Sequence, residues 1–248
     1  MVTSSAHDAF FDLPGVMERY GHLRDRLNDG NALMEEPHVI DLLGDVKDRA
    51  IVDLGCGDGR FGVWLAEQGC SSYTGLDAST QMVGLARTRL ARSPHAKVVV
   101  QDINDWRPAP GTAGLVTARM SLHYIQDLPG VIERVGHCLI PGGRFVLSVE
   151  HPVITSDYTS ASGDDVPDSW RVTNYFVRGP RTVQWLGQDA IKYHRTMEDY
   201  FRILQQTGLA IHQLREGEPV KVAADAGEIM KHRMAVPITL ILSAVKST

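Results

Sequence analysis

The chain has 248 residues, of which 43% are hydrophobic and 22% are charged, values typical of an ordinary globular protein. This length suits one α/β domain over residues 1–248 with a sizeable core. A net charge of −5 without basic runs argues against nucleic acid as a partner. No apolar run approaches the roughly eighteen residues that a membrane span needs. The N-terminus lacks the basic start and apolar centre of a signal peptide.

The three cysteines are Cys56, Cys70 and Cys138. Their number is odd, and neither they nor the histidines have the spacing of metal ligands. We therefore expect free thiols in a reducing cytoplasm and no metal site.

Strands and helices alternate along the first 150 residues. The predicted elements of this part, in chain order, are a polar helical segment within 1–35, a helix over 37–43, strand 51–54, a helix over 60–69, strand 72–76, a helix over 80–90, strand 98–100, a loop over 103–114, strand 115–118, a loop over 119–126, a helix over 128–139 and strand 144–149. Such alternation predicts a doubly wound parallel sheet. The polar segment at the start is either a lid or packing on the sheet edge.

The alternation stops at residue 152, where an aromatic insertion begins. Two short runs, 174–177 and 182–186, predict a hairpin that turns at 178–181. A long aromatic insertion is typical of a functional cap. A helix over 197–206 and strands over 209–214 and 238–245 follow. We therefore divide the chain into an N-terminal lid segment (1–35), a cofactor-binding core (36–151), an inserted cap (152–196) and a C-terminal part of the core (197–248).

The segment 51–77 has the pattern of a nucleotide-binding βαβ unit. Its glycines allow a ligand to approach the backbone, the helix N-terminus offers free N–H groups, and Asp77 ends the second strand. The pattern Gly57-x-Gly59-x-x-Gly62 matches the dinucleotide fingerprint, with Asp77 about where an NAD ribose ligand would lie. However, Asp53-x-Gly55-x-Gly57-x-Gly59 also matches the first motif of enzymes that use S-adenosylmethionine. The glycines alone leave both cofactors open.

Four motifs together resemble the class I S-adenosylmethionine-dependent methyltransferases, of the small-molecule type with a cap between strands five and six. They are DLGCGDG at 53–59, GLD at 75–77, QDI at 101–103 and LIPGGRFVL at 139–147. The resemblance implies a Rossmann-like, mostly parallel, seven-stranded sheet and S-adenosylmethionine as the cofactor. The alternative, an NAD(P)-dependent oxidoreductase, lacks support because no tyrosine is followed by lysine four residues later. P-loop and nucleophile-elbow motifs are also absent from the sequence.

The resemblance gives individual positions a role toward the cofactor. Gly55 and Gly57 would let the turn pass under its methionine part, and Asp77 would accept from both ribose hydroxyls. Asp102 would accept from the adenine amino group, with Ile103 against the ring. The other cofactor-binding positions that the resemblance implies are Asp53, Cys56, Ala78, Met82 and the backbone carbonyl of Ala118 or Arg119.

In this family the loop after the fourth strand faces the transferred methyl group. Here it covers residues 119–124 and lacks the Asn-Pro-Pro-aromatic or Asp-Pro-Pro-aromatic motif of nucleobase and protein-glutamine methylation. A small, partly aromatic acceptor is therefore favoured, and analogy with similarly built enzymes suggests specialised metabolite biosynthesis. His123 is the candidate general base, although it could simply shape the pocket, and Arg119 is a candidate for holding a substrate oxyanion.

Aromatic and histidine side chains outside the cofactor motifs are the candidates for contact with the acceptor. The predicted substrate-binding residues are Phe10, Phe11, Tyr20, His123, Tyr124, His151, Trp170 and Trp185. The sequence leaves open whether oxygen, nitrogen or carbon is methylated and whether the cap forms a homo-oligomer interface. A non-catalytic, cofactor-binding regulator is the second class of function that stays open.

Overall fold

The computed structural model describes residues 9–25, 31–160, 169–219 and 234–247. The helices within these ranges are α1 Val16–Arg24, α2 Glu36–Leu43, α3 Arg60–Glu67, α4 Thr80–Arg89, α5 Leu128–Cys138, α6 Pro152–Ser156 and α7 Met197–Gln206. The strands are β1 Ala50–Leu54, β2 Ser72–Asp77, β3 Ala96–Val100, β4 Ala113–Arg119, β5 Leu139–Glu150, β6 Gly179–Trp185, β7 Gln188–His194, β8 Leu209–Glu216 and β9 Thr239–Lys246. Parts of the predicted lid (1–8 and 26–30), cap (161–168) and C-terminal part (220–233 and 248) lie outside the described residues.

Seven of these strands form one sheet in the order β3-β2-β1-β4-β5-β9-β8. Neighbouring strands from β3 to β5 run parallel, whereas β9 pairs antiparallel with both β5 and β8. The predicted doubly wound, mostly parallel sheet is confirmed. Because β1 lies beside β4, the chain leaves these two strands in opposite directions and opens a crevice at their carboxyl ends, where such sheets bind ligands.

The hydrophobic core consists of one layer on each face of the sheet. On β5, Phe145 and Leu147 pack in the layer that includes α5 and α7. Between them, Val146 packs in the opposite layer, which includes α2, α3 and α4. Because both faces are covered, successive strand residues are all apolar, which explains the uninterrupted hydrophobic runs in the sequence. None of the helices in the described ranges is long and apolar enough to cross a membrane.

The hairpin after the sheet differs from the sequence prediction. It pairs β6 with β7, and its turn is Leu186-Gly187, so the predicted first strand at 174–177 is wrong. Both turn residues have positive φ (50° and 73°), the conformation of a tight two-residue hairpin turn. Residues 174–177 instead form a turn in which the Val177 N–H donates to the Asn174 carbonyl at 2.9 Å. Gly179 and Pro180, which the sequence predicts to be turn residues, are instead the first residues of β6.

Strands β4 and β5 begin earlier than predicted. β4 begins at Ala113 and β5 at Leu139, because these two residues pair with each other before a register shift that precedes Leu115. The predicted loop over 103–114 therefore loses its last residues to β4 and contains a short 3₁₀ turn, Ile103–Asp105.

Two helical glycines provide a matched test of the packing between α3 and β2. A Cβ atom at Gly62 would lie 2.6 Å from Cζ of the buried Tyr73, whereas a Cβ at the exposed Gly84 would meet nothing within 4 Å. We expect Gly62→Ala to lower the free energy of unfolding by about 1–3 kcal/mol through overpacking. Gly84→Ala should raise it by about 0.5–1 kcal/mol because alanine favours the helix. Urea denaturation measures both, and equal effects of the two substitutions would contradict this packing.

Candidate active site

The turn between β1 and α3 contains three glycines with positive φ, namely Gly55 (76°), Gly57 (55°) and Gly59 (79°). A Cβ atom at Gly55 would lie 2.4 Å from Cβ of Ser121, and one at Gly59 would lie 2.8 Å from Cα of Ala86. A Cβ at Gly57 would meet no atom of the described residues within 4 Å. Packing therefore requires the first and third glycines, while Gly57 borders open space in the crevice that could take a ligand.

Asp77 ends β2 beside this turn. Its carboxylate accepts from the backbone N–H of Gly57 and from that of Ser79, each at 2.9 Å. Burial raises the pKa of Asp77, although these two hydrogen bonds oppose the shift. One side chain thus fixes both the glycine turn and the start of α4.

Asp53 lies in β1 with only 2% of its surface exposed. Its Oδ2 accepts from the Tyr73 hydroxyl at 2.8 Å, while Oδ1 is buried without a hydrogen-bond partner among the described residues. Burial raises the pKa of Asp53 to about 6, against the opposing effects of Tyr73 and Arg119. A buried carboxylate oxygen without a partner favours a cationic or hydrogen-bond-donating group beside it.

The other predicted cofactor positions surround the same crevice. The exposed Asp102 accepts from the Asn104 backbone N–H at 2.7 Å, and buried Ile103 lies 3.7 Å from the Cβ position at Gly55. Ala78 is exposed next to Asp77, whereas Met82 is buried in the first turn of α4. Ala118 is fully buried in β4.

Cys56 is buried within the glycine turn, and its burial raises its pKa. All three cysteines are free thiols. Across the described part of the chain, no three His, Cys, Asp or Glu side chains are grouped as metal ligands would be.

Arg119 ends β4, and its guanidinium pairs with two carboxylates. Nε donates to Oε1 of the buried Glu35 at 3.0 Å, and Nη2 donates to Oε2 of Glu36 at 3.0 Å. The group also lies 4.0 Å above the Phe61 ring, and the Ser148 hydroxyl donates to Glu35 at 2.6 Å. Burial lowers the pKa of Arg119, but the two carboxylates outweigh it and raise the pKa. Since its charge is already matched, the oxyanion role stays a prediction without geometric support.

His123 and Tyr124 form a 3₁₀ turn after β4, with ring centroids 4.4 Å apart. Nδ1 of His123 accepts from the Glu150 backbone N–H at 3.4 Å, which leaves the ring proton on Nε2. Burial lowers the pKa of His123 to about 4, so the ring is neutral near pH 7. The base role stays a prediction, and this geometry favours a neutral ring that donates from Nε2–H.

A buried ion pair connects β5 to the hairpin. Nζ of Lys192 lies 2.5 Å from Oε1 of Glu150, and the Tyr158 hydroxyl donates to the other carboxylate oxygen. Only 3% of Lys192 is exposed, and its Nζ lies 4.8 Å from the Trp185 ring centroid and 5.6 Å from that of Tyr124. Burial raises the pKa of Glu150, but Lys192, His123 and Tyr158 outweigh it and hold the pKa at about 2.

Five rings from three segments meet next to this ion pair, and we call them the aromatic cluster: Phe10, Phe11, Tyr20, Tyr124 and Trp185. Phe10 stacks on Trp185 at 5.4 Å, and Phe11 meets the same indole edge-on at 5.7 Å. Tyr20 and Tyr124 lie 6.4 and 6.5 Å from it. All five rings are half-buried and therefore border solvent. The structure thus brings together five of the predicted substrate residues.

Of the three remaining candidates, His123 lies beside Tyr124, whereas His151 and Trp170 are placed differently. Nδ1 of His151 accepts from the Val153 N–H at 3.1 Å, and Nε2 lies 3.0 Å from Glu216, so the ring caps α6 and joins it to β8. Burial lowers the pKa of His151. Trp170 makes no ring contact with the aromatic cluster within the described ranges, and its indole N–H is buried without a hydrogen-bond partner there.

Several residues at this site were not predicted from the sequence, namely Asp12, Glu35, Glu150 and Lys192. The sequence does contain a pattern that could have predicted Glu150 as a site residue, because it ends the fifth apolar run just as Asp77 ends the second. The other three are distant in sequence from the motifs, and only the folded chain brings Asp12 and Glu35 to the core and Lys192 to the aromatic cluster.

Comparison with known proteins shows the family of the chain. Residues 51–143 match the family model described as a methyltransferase domain. The structure of an S-adenosylmethionine-dependent methyltransferase from Mesorhizobium loti is 30% identical, with 86% of this chain and 97% of that chain covered and a TM-score of 0.76. A Listeria monocytogenes protein assigned to the same class is 32% identical, with the same coverage and TM-score. Trans-aconitate 2-methyltransferase of Delftia acidovorans is 37% identical over 107 residues, which span 42% of this chain but only 38% of that protein.

The chain belongs to the S-adenosylmethionine-dependent methyltransferases, and S-adenosylmethionine is its cofactor. The predicted family, fold, enzyme class and cofactor are confirmed. The crevice residues fit this cofactor for two reasons that hold across the described part of the chain. Gly57 borders open space, and Asp53 Oδ1, which has no hydrogen-bond partner there, suits a molecule that carries positive charge.

The raised pKa of Asp53 predicts that cofactor affinity depends on pH. Because the folded chain protonates Asp53 around pH 6, its attraction for a cation should fade as the pH drops from about 7 to about 5. We expect the Kd for S-adenosylmethionine to rise over this range in the native chain. Asp53→Asn should bind more weakly at pH 7 and show a smaller pH dependence, because Asp77, whose pKa is also raised, remains; calorimetric titration measures both. Exposed Asp105→Asn is the control, and an unchanged pH profile in Asp53→Asn would refute the assignment.

Proposed function

We propose that this methyltransferase acts on a small, partly aromatic acceptor bound between the loop after β4 and the hairpin β6–β7. The aromatic cluster carries this proposal, because half-buried rings from the N-terminal segment, that loop and the hairpin converge at one place. S-adenosylmethionine supplies a methyl group that its positively charged sulfur has already activated. The protein must therefore align an acceptor atom with that group and exclude water.

The crevice side chains take up the parts of the cofactor. Asp77 accepts from the ribose hydroxyls, Asp102 accepts from the adenine amino group, and Ile103 covers the purine. Gly57 leaves room for the methionine part, and the Asp53 carboxylate balances its positive charge. This assignment is supported by the open space at Gly57 and by the unpartnered Asp53 oxygen.

The acceptor side is formed by aromatic faces around a few polar groups. Trp185 and Tyr124 offer flat surfaces for a planar acceptor, and the rings keep water away from the methyl group. The neutral His123 donates a hydrogen bond from Nε2 and so orients the acceptor. Cytoplasmic location is proposed from the free thiols, and specialised metabolism from analogy alone.

The N-terminal segment acts as a lid over both binding regions. The Asp12 carboxylate accepts from the Ser79 hydroxyl at 2.5 Å and from the Gln81 N–H at 3.1 Å, at the start of α4. Arg19 donates to the Leu186 carbonyl in the hairpin turn at 2.5 Å. The N-terminal segment is thus attached to α4 through Asp12 and to the hairpin through Arg19. Loss of the Asp12 contacts would let the segment move away from the two binding regions.

Cofactor binding by the two crevice acids is the first test of the proposed site. We expect S-adenosylmethionine and S-adenosylhomocysteine to raise the melting temperature of the native chain, and NAD and NADP to leave it unchanged. Asp77→Ala and Asp102→Ala should each weaken binding about tenfold or more, because each removes an acceptor for a ligand donor. Asp105→Ala, three residues from Asp102 and exposed, is the matched control.

An acceptor screen then tests turnover, with trans-aconitate, the substrate named for the Delftia relative, among the compounds. Release of S-adenosylhomocysteine in the presence of one acceptor would support methyl transfer to that acceptor. A stable complex with the cofactor and no release with any acceptor would favour a non-catalytic binding protein.

Asp12 provides the test of the lid. Asp12→Ala removes the carboxylate that holds the N-terminal segment on α4. We expect dissociation of S-adenosylhomocysteine to become about tenfold faster, the size of a lost helix-capping contact. Stopped-flow displacement measures this rate, and Glu18→Ala, exposed on the same segment, is the control. Equal rates in the native chain and Asp12→Ala would rule out a latch at this residue.

A further inference from the structure

We propose that Lys192 binds a negatively charged oxygen of the acceptor, so that the acceptor is a carboxylic acid or an acidic phenol that arrives already ionised. This inference rests on the proposed function, because the aromatic cluster forms the walls of the same site. It names the class of acceptor that the wall residues alone leave open.

The ammonium group of Lys192 has N–H donors that no hydrogen bond to a described residue uses. It carries three N–H bonds, and among the described residues one hydrogen bond, to Glu150 Oε1, uses one of them. Around the rest lie the rings of Trp185, Tyr158 and Tyr124, with centroids 4.8, 5.5 and 5.6 Å from Nζ. Ring faces stabilise a cation but replace a hydrogen-bond acceptor only in part. An oxygen that enters between the rings would therefore find a desolvated charge with free donors.

Glu150 positions this ammonium group and does not act as a base. One carboxylate oxygen accepts from Lys192 and the other from the Tyr158 hydroxyl, so both oxygens are engaged. The pKa of Glu150, held at about 2, keeps the carboxylate ionised and weakly basic near neutral pH. The pair therefore fixes where the Lys192 charge lies.

Of the described residues beside Lys192, neither His123 nor the tyrosines Tyr124 and Tyr158 can take a proton from a neutral alcohol near pH 7. The lone pair of His123 already accepts from the Glu150 N–H, and its pKa lies at about 4. Burial raises the pKa of Tyr124 and of Tyr158, so both phenols stay protonated. An acceptor that is ionised in solution needs no base.

The charges of the side chains around Lys192 also favour an anionic acceptor. Arg195 is 9% exposed, and its Nη2 donates to the carbonyls of Ile125 and Gln126, each at 2.7 Å. Its Nη1 is buried without a partner, and no carboxylate pairs with Arg195 in the described part of the chain. Lys192 and Arg195 both act on the pKa of His123, so both lie close to it. Among the described charged groups that act on His123, two cations face the one carboxylate of Glu150. They leave one positive charge, which an anionic acceptor would neutralise.

The reaction balances without a proton transfer to the protein. The anionic oxygen forms a new C–O bond to the methyl carbon while the C–S bond of the cofactor breaks. The electron pair of that bond stays on sulfur. The products are a methyl ester or ether and S-adenosylhomocysteine, in which the sulfur is uncharged. Lys192 holds the oxygen in line during this exchange and releases a product that no longer carries the charge.

Binding of matched acids and amides to the complex with S-adenosylhomocysteine tests the inference directly. We would titrate benzoate against benzamide and trans-cinnamate against trans-cinnamamide by calorimetry with the full chain. Each pair has nearly the same shape but differs in charge. We expect the acid to bind about tenfold or more tightly than its amide, the size of a charge-assisted hydrogen bond. Equal binding within the pairs, or no binding by either member, overturns the inference.

Three substitutions assign the preference to Lys192. Lys192→Met should abolish the acid preference while the Kd for S-adenosylhomocysteine stays unchanged, and Lys192→Arg should keep it. Because Lys192→Met leaves Glu150 buried without its cation, the double variant Lys192→Met/Glu150→Gln provides a folded alternative. Exposed Lys47→Met is the control for loss of one positive charge. Retention of the acid preference in the double variant would exclude Lys192 as its source.

These outcomes separate the inference from the proposed function. If acids bind through Lys192 but no acceptor releases S-adenosylhomocysteine, the anion site stands and the proposed turnover fails. If turnover occurs with neutral acceptors and Lys192→Met leaves it unchanged, the proposed function stands and the anion site fails.

Discussion

The carboxylate of Asp77 is the contact on which the rest of the site depends. It joins the glycine turn, through the Gly57 N–H, to the start of α4, through the Ser79 N–H. The Ser79 hydroxyl donates in turn to Asp12, which anchors the N-terminal segment that brings Phe10 onto Trp185. A series of hydrogen bonds thus joins the crevice to Asp12, and the adjoining Phe10 connects it to the aromatic cluster by ring stacking. Because each of these three hydrogen bonds is 2.9 Å or shorter and partly buried, the two binding regions are positioned together rather than independently.

The Lys192–Glu150 pair has the corresponding role for the hairpin. Alternation along β7 turns Ala190, Lys192 and His194 inward and leaves Asp189 and Ile191 exposed. A slip of one residue would bury Ile191 in place of Lys192 and leave Glu150 as an unpaired buried charge. The ion pair therefore disfavours any other register of the hairpin. It also places a charge among the rings where the proposed acceptor binds.

Particular residues show which parts of this site could be predicted from the sequence. The strand-end rule correctly placed Asp77 at the crevice, but after the fifth strand it was applied to His151, which caps α6, rather than to Glu150 one residue earlier. For the hairpin, Gly179-Pro180 was the more conspicuous turn pattern, yet the turn forms at Leu186-Gly187. Composition could not rank these two turns because cross-strand packing decides the register.

The sequence by itself determined the sheet, the glycine turn and the cofactor class, because hydrophobic period, turn glycines and strand-end acids are local features with direct structural consequences. Only the tertiary structure decided what surrounds the acceptor region. Glu35 meets Arg119 across 84 positions, Asp12 meets Ser79 across 67, and Lys192 meets Glu150 across 42. No local pattern encodes such pairs, since each exists only after helices and strands from distant segments have packed around a charge that must find its partner.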